Sequence, residues 1–348
     1  MAHLSGKPPN FITAASFYEE AARALLAVPK RLREVKGVDE KLKTLRQTQR
    51  EIAMQSIGDF VAIPIEAEDF GDEIRTIQER VSGKELTDAL LVLAESWARV
   101  SRERAEAGAR KSIEEFSSNR LFAKRKLTDD GRLAAKGPPA SDASLTSSKP
   151  DDAIWNQMVQ NYNFDISFAV QATIAPAWKQ LVLEHFITDD DLVNIVALSG
   201  IVPAGRVKLV AKGLKAGFEG DFAVALHLLV PQLEHLVRSH LQIRGAKTVP
   251  IDLDQGLQRE ASLSTLVELA EMAEIFGDDL AFEIRALFCD GFGPNLRNEL
   301  AHGLLEEGAC YSATSLYAWW LIFSMIYLQY WYGARTWDNM APPAADGP

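Results

Sequence analysis

The chain has 348 residues, of which 47% are hydrophobic and 24% are charged. This balance provides enough apolar surface for a packed core and excludes a globally disordered chain. The length exceeds what one core usually supports, so we expect two domains.

The charge is unevenly distributed. Residues 1–150 carry 25 Lys and Arg against 23 Asp and Glu, whereas residues 151–348 carry 12 against 25. A protein that covers many phosphates usually has a basic excess, so the distribution argues against tight, extended binding of RNA or DNA. A small local site remains compatible with it.

The two cysteines, Cys289 and Cys310, are too few and too isolated for a disulfide framework or a zinc ribbon. The N-terminal residues show no basic region followed by an apolar run, so no secretory signal is expected. We therefore predict a cytoplasmic protein.

Residues 1–126 are predicted to form an N-terminal helical domain, because apolar residues recur at steps of three and four between residues 14 and 118. Two helices carry the clearest stripes, which consist of Leu42, Leu45, Ile52 and Ile57 in one helix and Leu86, Leu90, Leu93 and Trp97 in a helix over residues 84–99. We expect this domain to sense a trigger, restrain the C-terminal half or recruit a regulatory protein partner.

Residues 127–152 concentrate Gly, Pro, Ser and Asp without an apolar period, which predicts a flexible linker. A second helical domain is predicted over residues 153–338, followed by a tail over residues 339–348. Pro176 is expected to kink or end a helix within residues 167–187.

The end of this second domain has the pattern of a helical bundle over about residues 218–335. Asp221 is placed to cap a helix with a near-heptad apolar stripe, and Gly245 is placed to end it. Further helices are predicted over residues 262–276, 279–289 and 311–332. The fold class is therefore all-α.

Residues 290–303, DGFGPNLRNELAHG, combine turn formers with polar side chains that can handle a phosphate. Asn295 is predicted to cap a short helix on which Asn298 and His302 lie four residues apart on one face, with Arg297 beside them near the helix N-terminus. A histidine can remove the proton of a ribose 2′-OH, and an arginine can stabilise charge on phosphorus. This combination suits RNA cleavage without a metal.

The segment resembles the HEPN superfamily, whose ribonuclease members carry Arg, a polar residue, three further residues and then His. Arg297, Asn298 and His302 match that motif position by position. Members are bundles of four to five helices with the motif leading into the final helix, and residues 228–238, LLVPQLEHLVR, look like the first helix of related bacterial domains that contain RNxxAHG. The resemblance covers about residues 190–335.

The resemblance implies a homodimer, or a pairing with a related subunit, that joins two Arg/His sets into one site for cleaving an RNA substrate. Arg297, Asn298 and His302 would be catalytic, and the product would carry a 2′,3′-cyclic phosphate. Family members commonly act in bacterial antiphage defence or toxin systems. The alternative is a catalytically inactive module that dimerises as a scaffold or sensor subunit, which the acidic C-terminal half supports.

Glu234 and Arg238 lie one helical turn apart, with His227 two turns before Glu234 on the same face. One interpretation is that Glu234 and Arg238 form a solvated ion pair that contributes little to stability. The other is that Glu234 contacts Arg297 or His302 and fixes the orientation of that side chain. The motif has a structural alternative as well, with Arg297 bound to loop carbonyls and His302 packed in the core.

Residues 308–334 form an uncharged run about as long as a membrane span. Its aromatic residues are spread along the run rather than gathered at two interfaces, which favours a buried bundle helix. His235 and His240 are five residues apart and no HExxH motif occurs, so we predict no metal. Phosphate-loop and dinucleotide-binding patterns are missing from the sequence, so no cofactor is predicted.

Overall fold

The structure, a computed structural model, describes residues 11–33, 37–56, 70–116, 120, 123–127, 133–148, 150–249, 251–252, 257–258 and 260–338. It confirms the all-α class. Within these residues the β-structure is limited to two small two-stranded sheets. The chain divides into two compact units, Met1–Glu68 with Phe122–Pro138, and Asp69–Leu121 with Pro139–Pro348.

In its described residues the smaller unit contains three helices and a β-hairpin. They are α1 (Phe11–Leu26), α2 (Lys30–Arg33), α3 (Val38–Ser56), β1 (Lys124–Leu127) and β2 (Leu133–Gly137). Helix α1 packs against α3, where Leu42 is buried and Leu45 half-buried, as the apolar stripe predicts. The side chain of Ile52 and the whole of Ile57 lie outside the described residues.

The larger unit contains the remaining helices. They are α4 (Gly71–Val81), α5 (Leu86–Ala94), α6 (Arg102–Glu115), α7 (Asp142–Thr146), α8 (Asp152–Ala169), α9 (Ala175–Glu184), α10 (Asp189–Leu198), α11 (Val207–Phe218), α12 (Phe222–Ile243), α13 (Leu263–Leu266), α14 (Glu271–Phe276), α15 (Asp278–Phe288), α16 (Leu296–Ala301), α17 (Glu307–Cys310) and α18 (Ala313–Asp338). A short ladder joins β3 (Ile251–Asp252) to β4 (Leu257–Gln258).

Helix α18 is the centre of the larger unit, with α5, α8, α10, α11 and α12 packed against it. Trp319, Trp320 and Tyr327 are fully buried, and the polar atom of each ring donates to a backbone carbonyl of α5 or α11 at 2.6–3.2 Å. Paired in this way, the rings add apolar burial without the cost of an unsatisfied donor. Across the described part of the chain, no helix has the length and apolar character that a membrane crossing requires.

The predicted boundary between the halves differs from the division in the structure. Helices α4 to α6 belong to the larger unit with the C-terminal half. The predicted linker over residues 127–152 contains β2 and α7, and α7 begins with a capping box between Ser141 and Ser144. Arg110 of α6 donates to the carbonyl oxygens of Ser144 and Leu145, both at 2.9 Å. These contacts order a segment whose composition alone predicts a loop. The predicted tail over residues 339–348 lies outside the described residues.

The helix boundaries of the C-terminal half agree with the sequence in most places. The Asp221 carboxylate accepts from the Val224 N–H at 3.0 Å and caps α12, while Gly245 follows its end with φ +82°. A π-helical turn, Val170–Ile174, lies just before Pro176, which lacks an N–H to donate. One prediction is wrong, because the single helix expected over residues 262–276 is divided into α13 and α14.

A buried carboxylate joins four parts of the larger unit. Glu283 of α15 is fully buried, and its Oε1 accepts from the Tyr317 hydroxyl at 2.7 Å and from the Tyr162 hydroxyl at 3.5 Å. Arg99 donates to Oε2 at 3.3 Å, and the Val100 N–H donates to Oε1 at 3.4 Å. Burial raises the pKa of Glu283, although Tyr317 and Arg99 oppose the increase.

We predict that Glu283→Gln changes how stability depends on pH. The folded state binds the Glu283 proton more tightly than the unfolded state does, because its pKa lies above the usual 4.5. The contribution of Glu283 to the free energy of unfolding is therefore largest below pH 4.5 and falls as the pH rises through the raised pKa. Urea unfolding of both proteins at several pH values measures this trend.

The variant lacks this titration, so its stability relative to the wild type should rise with pH. Glu219→Gln, at a carboxylate whose side chain is 60% exposed, is the matched control and should show no such trend. A stability difference between Glu283→Gln and the wild type that stays constant with pH would contradict the prediction.

Candidate functional site

The turn that precedes α16 is fixed by Asp290. Its carboxylate accepts from the Trp155 indole N–H at 2.7 Å and from the Phe292 N–H at 2.8 Å. Gly293 lies so close to the carbonyl oxygen of Ala286 that a Cβ at this position would overlap it. An aspartate that accepts from the N–H two residues later forms an Asx turn, and this spacing is visible in the sequence. The contribution of Trp155, which is 135 residues away, has no signal in the sequence.

Helix α16 carries the motif and has only six residues. Asn295 precedes it with φ +53°, and its side chain caps no backbone N–H, so the predicted cap is wrong. Leu296 is buried and anchors the first turn. Gly303, with φ +63°, lets two backbone hydrogen bonds of 2.8 and 3.2 Å close the last turn in a Schellman arrangement. His302 is therefore the first residue after the helix.

Arg297 is held by an ion pair with α12. Its Nε donates to Glu234 Oε2 at 3.0 Å, and the other oxygen of Glu234 accepts from Arg238 at 2.7 Å. Arg238 also donates to the carbonyl of Ala261 at 2.8 Å and lies 3.0 Å from a carboxylate oxygen of Glu260. The Glu234, Arg238 and Arg297 side chains are 17%, 13% and 28% exposed. Glu234 thus faces Arg297, as one of the two sequence interpretations requires, and among the described residues Arg297 binds no loop carbonyl.

Asn298 and His302 lie on a different side of α16 from Arg297. His302 is exposed and Asn298 is half-exposed, and neither side chain makes a hydrogen bond within the described residues. At 3.6 residues per turn, positions four apart differ by about 40° around the axis, whereas positions five apart differ by about 140°. This spacing places Asn298 and His302 on one side of the helix axis and Arg297 on another. His302 lies at the C-terminal end of α16, so its expected place at the helix N-terminus is wrong. The alternative of a core histidine is also wrong, because His302 is exposed.

The Cys289 thiol lies beside this ion pair. Burial raises its pKa to about 12, although a hydrogen bond with Ser264 and the nearby Arg297 and Arg285 oppose the increase. At neutral pH the thiol stays protonated, so Cys289 is not a nucleophile in this environment.

The other histidines of α12 have local partners. His240 Nε2 donates to the carbonyl of Ile201 at 2.9 Å. Burial lowers the pKa of His235, and the cations of Arg206 and Arg238 lower it further. Within the part of the chain that is described, no group of three or more His, Cys, Asp or Glu residues is placed to hold a metal ion.

Comparison of the chain with models of protein families, with curated proteins and with solved structures found no match. The resemblance to HEPN ribonucleases therefore depends on the motif at residues 297–302 and its helical setting.

We predict that Glu234→Ala lowers the free energy of unfolding by about 1–3 kcal/mol, because it leaves two mostly buried arginines without their shared carboxylate. Glu268→Ala is the matched control, since Glu268 pairs with Arg285 at 2.9 Å while its own side chain is 57% exposed. Such an exposed pair contributes about 1 kcal/mol or less. Chemical denaturation of both variants measures the difference.

A double-mutant cycle with Arg297→Ala tests whether the loss comes from the Glu234–Arg297 pair. Strictly additive effects of Glu234→Ala and Arg297→Ala would contradict a coupled pair. An effect of Glu234→Ala as small as that of Glu268→Ala would mean that the pair is solvated.

Proposed function

We propose that the protein is a metal-independent endoribonuclease of the HEPN type that acts as a homodimer, with Arg297, Asn298 and His302 as its site. The observation that carries the proposal is that His302 is exposed beside Asn298, while Glu234 holds Arg297 in a defined position. An exposed imidazole can exchange protons with a substrate. A preorganised guanidinium can stabilise a phosphate without first being ordered.

The reaction follows from these groups. His302 removes the proton of a ribose 2′-OH, and the 2′-oxygen attacks the adjacent phosphorus. The bond from phosphorus to the 5′-oxygen breaks, and the leaving oxygen takes a proton from a second acid. The products are a 2′,3′-cyclic phosphate and a 5′-hydroxyl end. Arg297 stabilises the charge on the phosphoryl oxygens, and Asn298 orients the phosphate or the imidazole.

The orientation of the motif supports a site formed by two chains. Arg297 and His302 of one chain lie about 140° apart around α16, so they do not face one phosphate together. A second copy of the chain, placed against the exposed face of α16, can bring its own arginine or histidine to the phosphate. Its histidine can also act as the second acid. Bacterial defence or toxin systems, in which the resembling family commonly acts, are the setting that we propose.

A second candidate function is a catalytically inactive scaffold or sensor subunit. The charges around the motif favour it, because Glu234 neutralises Arg297 and two consecutive carboxylates, Glu306 and Glu307, follow His302 closely in the chain. An acidic surface repels RNA. Under this candidate function the same residues stabilise the fold or an interface and cleave nothing.

We predict that the purified protein cleaves RNA in the presence of EDTA and leaves cyclic phosphate ends. His302→Ala should lower the rate by about a hundredfold or more, because it removes a general acid or base. His227→Ala is the matched control, since His227 is an exposed histidine of α12 outside the motif, and its rate should match the wild type. Product ends are read by phosphatase sensitivity and mass spectrometry.

A wild-type protein that is folded and dimeric but cuts no RNA would favour the scaffold function. Cleavage that disappears with EDTA, or that His302→Ala retains, would contradict the proposed mechanism.

A further inference from the structure

A groove of about 870 Å³ runs along α6, α8 and the segment that connects α5 to α6. The side chains that matter here are Trp97, Arg99, Arg104, Asn161, Phe164 and Asp165. Its volume lies in the range of sites that bind small ligands. Helices α6 and α8 come close at Gly108, where an added Cβ would lie 3.9 Å from Asn161 Nδ2, so glycine keeps this part of the groove open.

The groove contains two opposite charges that do not neutralise each other. Arg104 and Asp165 make no side-chain ion pair or hydrogen bond within the described residues. Asp165 is solvent-exposed, yet the walls of the groove remove enough water from its carboxyl group to raise the pKa. Arg99 is already engaged by Glu283, so Arg104 is the guanidinium left for an anion. Guanidinium groups bind phosphates well because their N–H donors match phosphate oxygens.

An exposed aromatic ring lies in the same groove. Phe164 is 65% exposed and has no ring partner in the described part of the chain. One turn later, Phe168 packs against Phe70 at 4.9 Å and Trp97 at 5.7 Å between ring centroids. Phe164 thus presents exposed aromatic surface in the groove, and nucleobases stack on exposed aromatic rings. Asn161 lies one turn before Phe164, and its Oδ1 accepts from Gln157 Nε2 at 2.8 Å. Its Nδ2 can donate to a base edge.

We propose that this groove binds a nucleotide unit. The base stacks on Phe164, an N–H group of the base donates to the Asp165 carboxylate, and Arg104 binds the phosphate. The ligand has two sources with the same chemistry, a free nucleotide or one nucleotide of an RNA strand. The groove is a separate site from the Arg297 and His302 motif, and its occupancy does not depend on cleavage there.

Calorimetric titration of the full chain tests the proposal. The probes are AMP, ATP and an RNA of eight adenosines, in EDTA and on a His302→Ala background so that no substrate is consumed. We expect saturable binding of at least one probe with Kd of about 1 mM or tighter. Arg104→Gln and Phe164→Leu should each weaken that binding about tenfold, because each removes a main contact.

Lys212→Gln is the matched control, since it removes an exposed positive charge outside the groove, and it should change Kd less than about twofold. Gly108→Leu provides an independent test. It fills the groove at a helix-interior position where leucine is favoured over glycine, so it should abolish binding without unfolding α6. Unfolding midpoints confirm that all variants are folded.

If AMP or ATP binds more tightly than the RNA, the groove is assigned to free nucleotides. If the RNA binds more than about tenfold more tightly than AMP, the groove is assigned to an RNA strand. No saturable binding of any probe up to about 1 mM overturns the proposal, as does equal binding by wild type, Arg104→Gln and Phe164→Leu. Nucleotide binding by a protein that cleaves no RNA would refute the nuclease function alone.

Discussion

The burial of α18 is the constraint on which the rest of the larger unit depends. Trp319, Trp320 and Tyr327 are too large and too polar to be buried unless each ring donor meets an acceptor. Carbonyl oxygens of α5 and α11 provide those acceptors, which fixes both helices against α18. Helix α12 packs beside them against α18 and α16. This packing places the polar side of α12, and with it Glu234, against the helix that carries the motif.

One carboxylate then decides how the motif is oriented. Glu234 is shared by Arg238 of its own helix and by Arg297. Removing it would leave the mostly buried Arg297 without its carboxylate partner and would leave Arg238 with only the exposed Glu260 as a counter-charge. Arg297 therefore points towards α12, and the turn angle of α16 points His302 to solvent. This arrangement supports the proposal that a second chain completes the site. Because Glu234 neutralises Arg297, the same ion pair also favours the alternative of an inactive scaffold.

Features set by local sequence were predictable, and features set by distant contacts were not. The cap of α12 at Asp221, its end near Gly245 and the long aromatic helix follow from caps and periodicity, and they agree with the structure. The polar face of α12 left two interpretations of Glu234 open, a solvated pair or a contact with Arg297 or His302, and the structure shows the contact with Arg297. By contrast, Arg110 of α6 binds the carbonyl oxygens of Ser144 and Leu145 in α7, more than 30 residues away, and Glu283 contacts Arg99 from 184 positions away. Neither kind of contact produces a periodic pattern in the sequence.

The predicted cap at Asn295 is wrong because this residue adopts the left-handed conformation that the turn requires.

The most direct test of a site shared between two chains is complementation. Arg297→Ala and His302→Ala proteins, each inactive alone, are mixed with different affinity tags so that subunit exchange can be verified by co-purification. If the site combines groups from two chains, mixed dimers contain one intact arginine and one intact histidine, and RNA cleavage should return in the mixture. Verified exchange without any return of cleavage would contradict a site built from the arginine of one chain and the histidine of the other.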